Sequence, residues 1–350
     1  VKAVCFESPY HVSVVEMPVP AVGPGDVLIR VEAAGVCGTD LHLYVGEFDP
    51  KYPLVPGHEF SGVIVETGKA VTNFRPGDRV AVDPNLSCDR CHYCRRELPN
   101  HCENREAIGV TRAGAFAEYV VAPEQAVFSI GDMSFAEGAF IEPLACVVYG
   151  HERARLRLGD SVLIFGAGPI GLLHLQLAKR TGASQVTVVD VRADRVELAK
   201  RLGADYVIIS RSGEDLATQL REIAPYGFEL VIDATGVPAV VEGALSYVTR
   251  GGKLLVFGVC PNESTIRVNP YEIFRRDLEI IGAFAVRRSF QAARNLLLAK
   301  ALDINPLIGV TVNLEDFPAV LELMRQGRAP MKIQVDPQSR RAPLVEEIAG

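Results

Sequence analysis

Hydrophobic and polar positions change rhythm along this chain. Through residues 1–36 they alternate, interrupted by Pro18, Pro20, Pro24 and Gly25, with Asp26-Val27-Leu28-Ile29-Arg30-Val31-Glu32 held between turn signals. A period of two with closely spaced turns predicts a β-meander rather than alternating strands and helices. Gly114 to Val120 has the same signature and predicts another strand of this first region, and Phe135 to Leu144 reads as a helical or turn segment presenting Glu142. From Ser161 onward, short and mostly apolar runs recur at Val162 to Phe165, Val186 to Val189, Val207 to Ile209, Leu230 to Asp233, Lys253 to Gly258 and Glu279 to Phe284. Helix-like stretches separate them, which predicts a parallel sheet covered on both faces. Beyond Phe290 the spacing predicts a helix, a strand at Val310 to Val312, a helix around Phe317 to Gln326 and a last strand at Lys332 to Val335. The tail from Pro337 to Gly350 starts polar and is expected to be disordered or to clasp a neighbour.

The strand at Val162 runs straight into Gly166-Ala167-Gly168-Pro169-Ile170-Gly171, then a helical pattern, then a strand ending in Asp190. This is the context in which G-x-G-x-x-G seats a pyrophosphate. Gly166 permits the tight turn, Gly168 lets backbone approach phosphate oxygens, and Gly171 lets helix and strand pack closely, so that N–H groups at the helix start face the anion. Asp190 would accept both hydroxyls of an adenosine ribose and repel a 2′-phosphate, favouring NAD. Arg192 and Arg195 follow closely and keep NADP as the alternative.

At 350 residues the chain is long enough for about two domains, each with its own core. A net charge of −7 without a basic block argues against a nucleic-acid surface. No apolar run reaches transmembrane length and no charged, apolar leader is evident, so no membrane partner and a cytoplasmic location are expected. The eight cysteines are too sparse for a disulfide scaffold. Four of them, Cys88, Cys91, Cys94 and Cys102, have the C-x2-C-x2-C-x7-C spacing of a closed tetrahedral zinc site, which is structural because no ligand position remains. A disulfide pair, free thiols and a nucleic-acid-binding zinc ribbon are the competing readings. His92 and His101 are not needed to complete the set and are expected to be exposed. Cys37, His58 and an adjacent carboxylate, each near a bend-forming glycine, make a plausible catalytic zinc site with one open position. Cys5 reads as an inert core thiol, Cys146 as helix packing and His11 as a surface residue.

Taken together, Cys37-Gly38-Thr39-Asp40-x-His42, Gly57-His58-Glu59, the four-cysteine lobe, Glu142-Pro143-Leu144-Ala145, the glycine fingerprint and Asp190 resemble the zinc-dependent medium-chain dehydrogenases, in particular their polyol (sorbitol-type) and threonine dehydrogenase branch. The resemblance implies an α/β fold with a β-rich, GroES-like catalytic domain over 1–147. A doubly wound Rossmann domain over 148–286 would follow, and then a return to the catalytic domain over 287–350. It further implies a homotetramer or homodimer pairing Rossmann sheets edge to edge. Zinc held by Cys37, His58 and either Glu59 or Glu142 would bind the hydroxyl of a small alcohol. Hydride would pass to a nicotinamide near Ile170, Phe257, Gly258, Val259, Ala283 and Phe284, while Thr39 hands the proton through the cofactor ribose to His42 and solvent.

The implied activity is NAD-linked oxidation of a secondary hydroxyl of a sugar alcohol, with L-threonine 3-dehydrogenase or a vicinal-diol dehydrogenase as alternatives. Glu142-Pro-Leu-Ala resembles the polyol members. Ala285-Val286, where sorbitol dehydrogenases carry Arg-Tyr, departs from a sorbitol-specific pattern, and Arg287 and Arg288 stand nearby as substitutes or exposed arginines. A zinc-independent reductase and a noncatalytic NAD-binding protein are the rival classes, and each would be expected to lack part of this ligand set.

Overall fold

The computed structural model describes residues 1–211 and 215–342, so the last part of the tail, 343–350, lies outside the described residues. The chain separates into two compact units, one made of Val1–Ala145 with the chain from Ala285 onward, the other of Cys146–Phe284.

The first unit is built on a sheet in which Ile308–Val312, Lys332–Val335, Asp26–Gly35, Glu59–Thr67, Arg79–Val82 and Val127–Ser129 lie side by side, with Tyr119–Pro123 also pairing to Asp26–Gly35. The last strand joins antiparallel to the first part of the chain, Gln334 opposite Gly35 and Val335 opposite Ala34. Its core gathers Phe6, Phe60, Phe116 and Phe317, all fully buried. Two expectations change here. The strand expected from Gly114 begins only at Tyr119. Gly114, Ala115 and Phe116 instead donate their N–H groups to the carbonyls of Val55, Gly57 and Pro56 at 2.8–2.9 Å, bracing the irregular approach to His58. The helical segment expected to stop at Leu144 is two helices, Phe135–Ala139 and Ile141–Ala154. The first is fixed by a capping box between Ser134 and Glu137, and the second continues because Val147, Val148 and Tyr149 go on being buried.

As far as it is described, the tail clasps its own unit. Gln338 donates to the carbonyls of Val31 and Glu118 at 3.1 and 2.9 Å, Arg340 pairs with Glu118, and Arg341 donates to Thr311 O at 3.1 Å.

In the second unit six parallel strands run in the order Tyr206–Ile209, Gln185–Asp190, Ser161–Phe165, Phe228–Asp233, Val248–Val256, Glu279–Gly282. Chain order reverses beside Ser161–Phe165, and the carboxyl ends of the strands at such a switch point are where open α/β sheets bind ligands. Gly171 is demanded by sterics, since a Cβ there would stand 1.8 Å from Gly166 O. Two histidines are buried in this unit. His151 Nε2 and His174 Nδ1 are 3.1 Å apart with their rings stacked, and Phe257 meets His174 edge-on at 4.5 Å. Burial lowers both imidazoles, His151 to about 4. Among the described residues no helix is long and apolar enough to cross a membrane.

Candidate functional site

The loop from Cys88 to Cys102 brings its four sulfurs within 4.8 Å of one another, with neighbouring pairs at 3.5–3.9 Å. A disulfide would need about 2.05 Å. Four thiolates about 2.3 Å from a central zinc stand roughly 3.8 Å apart, so the cluster has the edge length of a zinc tetrahedron. Backbone N–H groups are already aimed at the sulfurs, Cys88 N and Asn104 N each 3.3 Å from Cys102 Sγ. Hydrogen bonding from the backbone of Arg90 holds the Cys88 thiol down to about 6, whereas burial pushes Cys94 up to about 12. Only a bound cation lets all four ionise together. His92 and His101 are exposed, as expected. Arg287 and Arg288 are engaged with this lobe: Arg287 Nε donates to Glu97 O at 2.6 Å, and Arg288 faces Asp89 and Glu97 at 3.6 and 3.8 Å.

The second ligand set is assembled from separate elements. Cys37 is the N-cap of the helix Gly38–Val45, and Asp40 Oδ2 accepts its N–H at 2.8 Å. His58 and Glu59 enter at the start of the strand Glu59–Thr67, behind Gly57, whose φ of +98° and close approach to Phe116 N, 2.6 Å from where a Cβ would lie, suit glycine. Cys37, His58 and Glu59 place one ligand atom each within 4.8 Å of one another. Asp40, fully buried, turns Oδ1 toward His58 Nδ1 at 3.6 Å. Burial opposes the His58 imidazolium, but the Asp40 carboxylate and Cys37 more than offset this and raise its pKa. Lys332 reaches Glu59 from the last strand, 2.6 Å from both carboxylate oxygens, and donates to Val36 O at 3.0 Å. Burial opposes this ammonium too, and Glu59 outweighs it. Asp40 Oδ1, His58 Nδ1 and Glu59 Oε2 are buried without a well-formed hydrogen bond. A borderline-soft cation taking sulfur, nitrogen and oxygen satisfies such a donor set, so the residues fit zinc. Glu142 is buried but is not one of the three, and burial pushes its carboxyl up to about 7 against the opposing charges of His58 and Lys332.

Thr39 and His42 follow Cys37 on the same short helix, with Thr39 Oγ1 3.7 Å from Cys37 Sγ. His42 Nδ1 is held by the Glu47 carboxylate, and its ring packs on Phe48 with centroids 5.1 Å apart.

In the second unit the helix Pro169–Thr181 starts immediately after Gly168, so Pro169, Ile170 and Gly171 form its first turn. Asp190 ends its strand and accepts the N–H groups of Ala167 at 2.6 Å and Arg192 at 2.8 Å, tying the glycine turn to the acid. The Arg192 guanidinium is forked onto Asp194 at 2.7 and 3.1 Å. Arg195 lies beside Gly168, 3.7 Å from the position of an added Cβ. Phe257, Gly258 and Val259 leave the carboxyl end of Val248–Val256, with Phe257 N and Gly258 N donating to Asp233 O at 3.1 and 2.8 Å. Ala283 and Phe284 leave the neighbouring strand end.

Glu47 and Lys332 are polar partners to which the sequence assigns no role, and Asp40 enters the sequence reading only as part of the Cys37 motif. An acid three residues after an N-capping Cys37 is a capping-box signal that could have found Asp40. Lys332 had no local signal, since its partner is 273 residues away.

Residues 23–132 match the family described as the alcohol dehydrogenase GroES-like domain, and residues 169–302 the family described as zinc-binding dehydrogenase. The chain is 36% identical to D-arabinitol dehydrogenase 1 of Uromyces fabae, covering 96% of this chain and 97% of that one. It is 36% identical to D-altritol 5-dehydrogenase of Agrobacterium fabrum (strain C58 / ATCC 33970), covering 91% and 94%. A zinc-binding dehydrogenase from Sinorhizobium meliloti 1021, solved bound to NADP, superposes with a TM-score of 0.90 at 36% identity, covering 96% of this chain and 99% of that one.

Proposed function

The chain belongs to the zinc-dependent medium-chain dehydrogenases, and on that premise we propose that it oxidises a secondary hydroxyl of a sugar alcohol to the ketone, reversibly, with NAD as hydride acceptor. The observation that carries this reading is the Cys37, His58 and Glu59 set, which offers three unlike ligands, with Thr39 and His42 following on the Cys37 helix. Zinc supplies Lewis acidity toward the alcohol oxygen when bound, and NAD supplies hydride acceptance.

The chain's own residues do the rest. Cys37, His58 and one carboxylate hold the metal. Glu59 is the nearer candidate, and Glu142 is the alternative. Asp40 orients His58, as a carboxylate behind a ligating imidazole does. Thr39 accepts the alcohol proton and His42 carries it toward solvent, since an imidazole can take up a proton on one nitrogen and release it again. Gly166, Gly168 and Gly171 seat the pyrophosphate, and Asp190 takes the adenosine ribose. The occupation of Arg192 by Asp194 supports NAD over NADP. The nicotinamide side is assigned to Ile170, Phe257, Gly258, Val259, Ala283 and Phe284.

Polyols are preferred to L-threonine because Glu142-Pro143-Leu144-Ala145 resembles the polyol members, and because similar proteins are named for D-arabinitol and D-altritol. A cytoplasmic location suits four ligand thiols that a reducing compartment keeps free. A homodimer or homotetramer is supported by the outer strand Glu279–Gly282, where Ile280 is exposed near Phe274 and Phe284 in sequence. A monomer in sedimentation equilibrium at micromolar concentration would refute it.

The deciding assay follows NADH and NADPH formation at mildly alkaline pH with C4 to C6 polyols, 2,3-butanediol and L-threonine, before and after zinc chelation. Chelator-sensitive turnover of a polyol with threonine inert is expected. Turnover of threonine alone would overturn the substrate class.

A further inference from the structure

The helix that carries Thr39 and His42 ends unusually. Gly46 closes it in the left-handed conformation with φ of 95°, and its successor Glu47 turns back to donate its N–H to His42 O at 2.9 Å. Phe48 and Asp49 are then also left-handed, at φ of 68° and 49°. A bulky aromatic rarely adopts that region, and a run of three such residues in four positions is retained only where surrounding contacts over-determine it. Tyr52 supplies one such contact, its hydroxyl donating to Leu43 O at 2.6 Å beneath the same turn. The turn achieves two things: the Glu47 carboxylate lies on His42 Nδ1, and the Phe48 ring packs on the imidazole.

We propose that Glu47 is a positioning residue for the proton relay, fixing His42 as its Nδ1–H tautomer so that Nε2 is the basic nitrogen. This rests on the assignment of His42 to the relay. A carboxylate only accepts hydrogen bonds when ionised, so the Nδ1 that meets it must donate, and a neutral imidazole then carries its lone pair on Nε2. When Nε2 accepts the substrate-derived proton, the imidazolium holds one N–H on each nitrogen and its positive charge faces the Glu47 carboxylate. Release of the Nε2 proton to water restores the starting tautomer, so one proton enters and one leaves through the same nitrogen. Phe48 limits ring rotation that would exchange the two nitrogens.

The test uses zinc-loaded, full-length enzyme labelled with 15N-histidine. Long-range 15N–1H spectra read the tautomer of His42, assigned by the loss of its signals in His42→Gln. The native enzyme is expected to show His42 as Nδ1–H. Glu47→Gln, whose amide can accept or donate, is expected to bring in the Nε2–H form and to lower kcat for D-arabinitol or the best polyol of the panel about 10- to 100-fold, with KM little changed. Glu47→Asp is expected to restore much of both. An unchanged Nδ1–H signal and kcat within about twofold in Glu47→Gln would overturn the inference while leaving the relay intact, provided His42→Gln is slow. If His42→Gln itself turns over normally, the relay assignment fails instead.

Discussion

The two candidate metal-ligand sets of the first unit are built on opposite plans. The loop between Cys88 and Cys102 supplies four like ligands from one short stretch and braces them with its own backbone N–H groups. The set of Cys37, His58 and Glu59 offers three unlike candidate ligands from two distant stretches, and each has a partner behind it: Asp40 on Cys37 N and toward His58, Lys332 on Glu59. A closed site stabilises itself through its fourth ligand. An open one keeps that position for substrate, so its geometry must come from the surrounding charges, and it is correspondingly more demanding of the fold.

The largest effect should separate the two sets by function. Cys37→Ser is expected to lower turnover at least about 1,000-fold, a barrier increase of about 4 kcal/mol. It should retain one zinc per chain and unaltered NAD binding in calorimetry, because the glycine fingerprint belongs to the other unit. Cys91→Ser should instead cost the lobe its metal and lower the unfolding temperature. If Cys37→Ser abolished NAD binding in a folded protein, the division of labour would be wrong.

A smaller contrast concerns the charges behind each set. Lys332→Met leaves the Glu59 carboxylate buried without its counter-charge and is expected to destabilise the zinc-free protein by about 3–5 kcal/mol in urea unfolding. Arg288→Met, which breaks exposed contacts to the lobe, should cost less than about 1 kcal/mol. Equal losses would show that the open set is no more dependent on its surroundings than the closed one.

An effect smaller than that of Lys332→Met comes from the second unit and sets a control without metal ligands. Buried neutral, His151 and His174 resist protonation in the folded chain, with His151 lowered to about 4, whereas the unfolded chain takes up protons near 6.5. The stability of this unit is therefore complete above about pH 6.5 and is lost as pH falls toward 4, by about 3 kcal/mol for His151. His151→Leu combined with His174→Leu should flatten unfolding temperature against pH over that window. An unchanged slope would mean that the acid sensitivity arises elsewhere.

What could be read from the sequence follows the same divide between local and distant. The four-thiol spacing, the glycine fingerprint with its strand, helix and Asp190, and the rhythm of the parallel sheet are all local, and each has its counterpart in the fold. Alternation predicts a strand from Gly114, but it cannot reveal that the partners of Gly114 to Phe116 are the irregular carbonyls of Val55, Pro56 and Gly57. The hydrophobic pattern placed Lys332 at the start of a strand, but nothing nearby in sequence indicated that an ammonium there would be buried. The His151–His174 pair joins two helices of unremarkable pattern, and His42 gains Glu47 through a left-handed turn that a phenylalanine and an aspartate would not advertise.

The pairing of the last strand with Asp26–Gly35 has a consequence for biosynthesis. The second unit is one uninterrupted stretch that can fold as it leaves the ribosome, but the first cannot close until the strand Lys332–Val335 has been made. Lys332 emerges 273 residues after Glu59, roughly 14 to 55 s later at about 5–20 residues per second. Until then the Glu59 carboxylate stays in water, and the buried ion pair with Lys332 forms only when the last strand adds to the sheet.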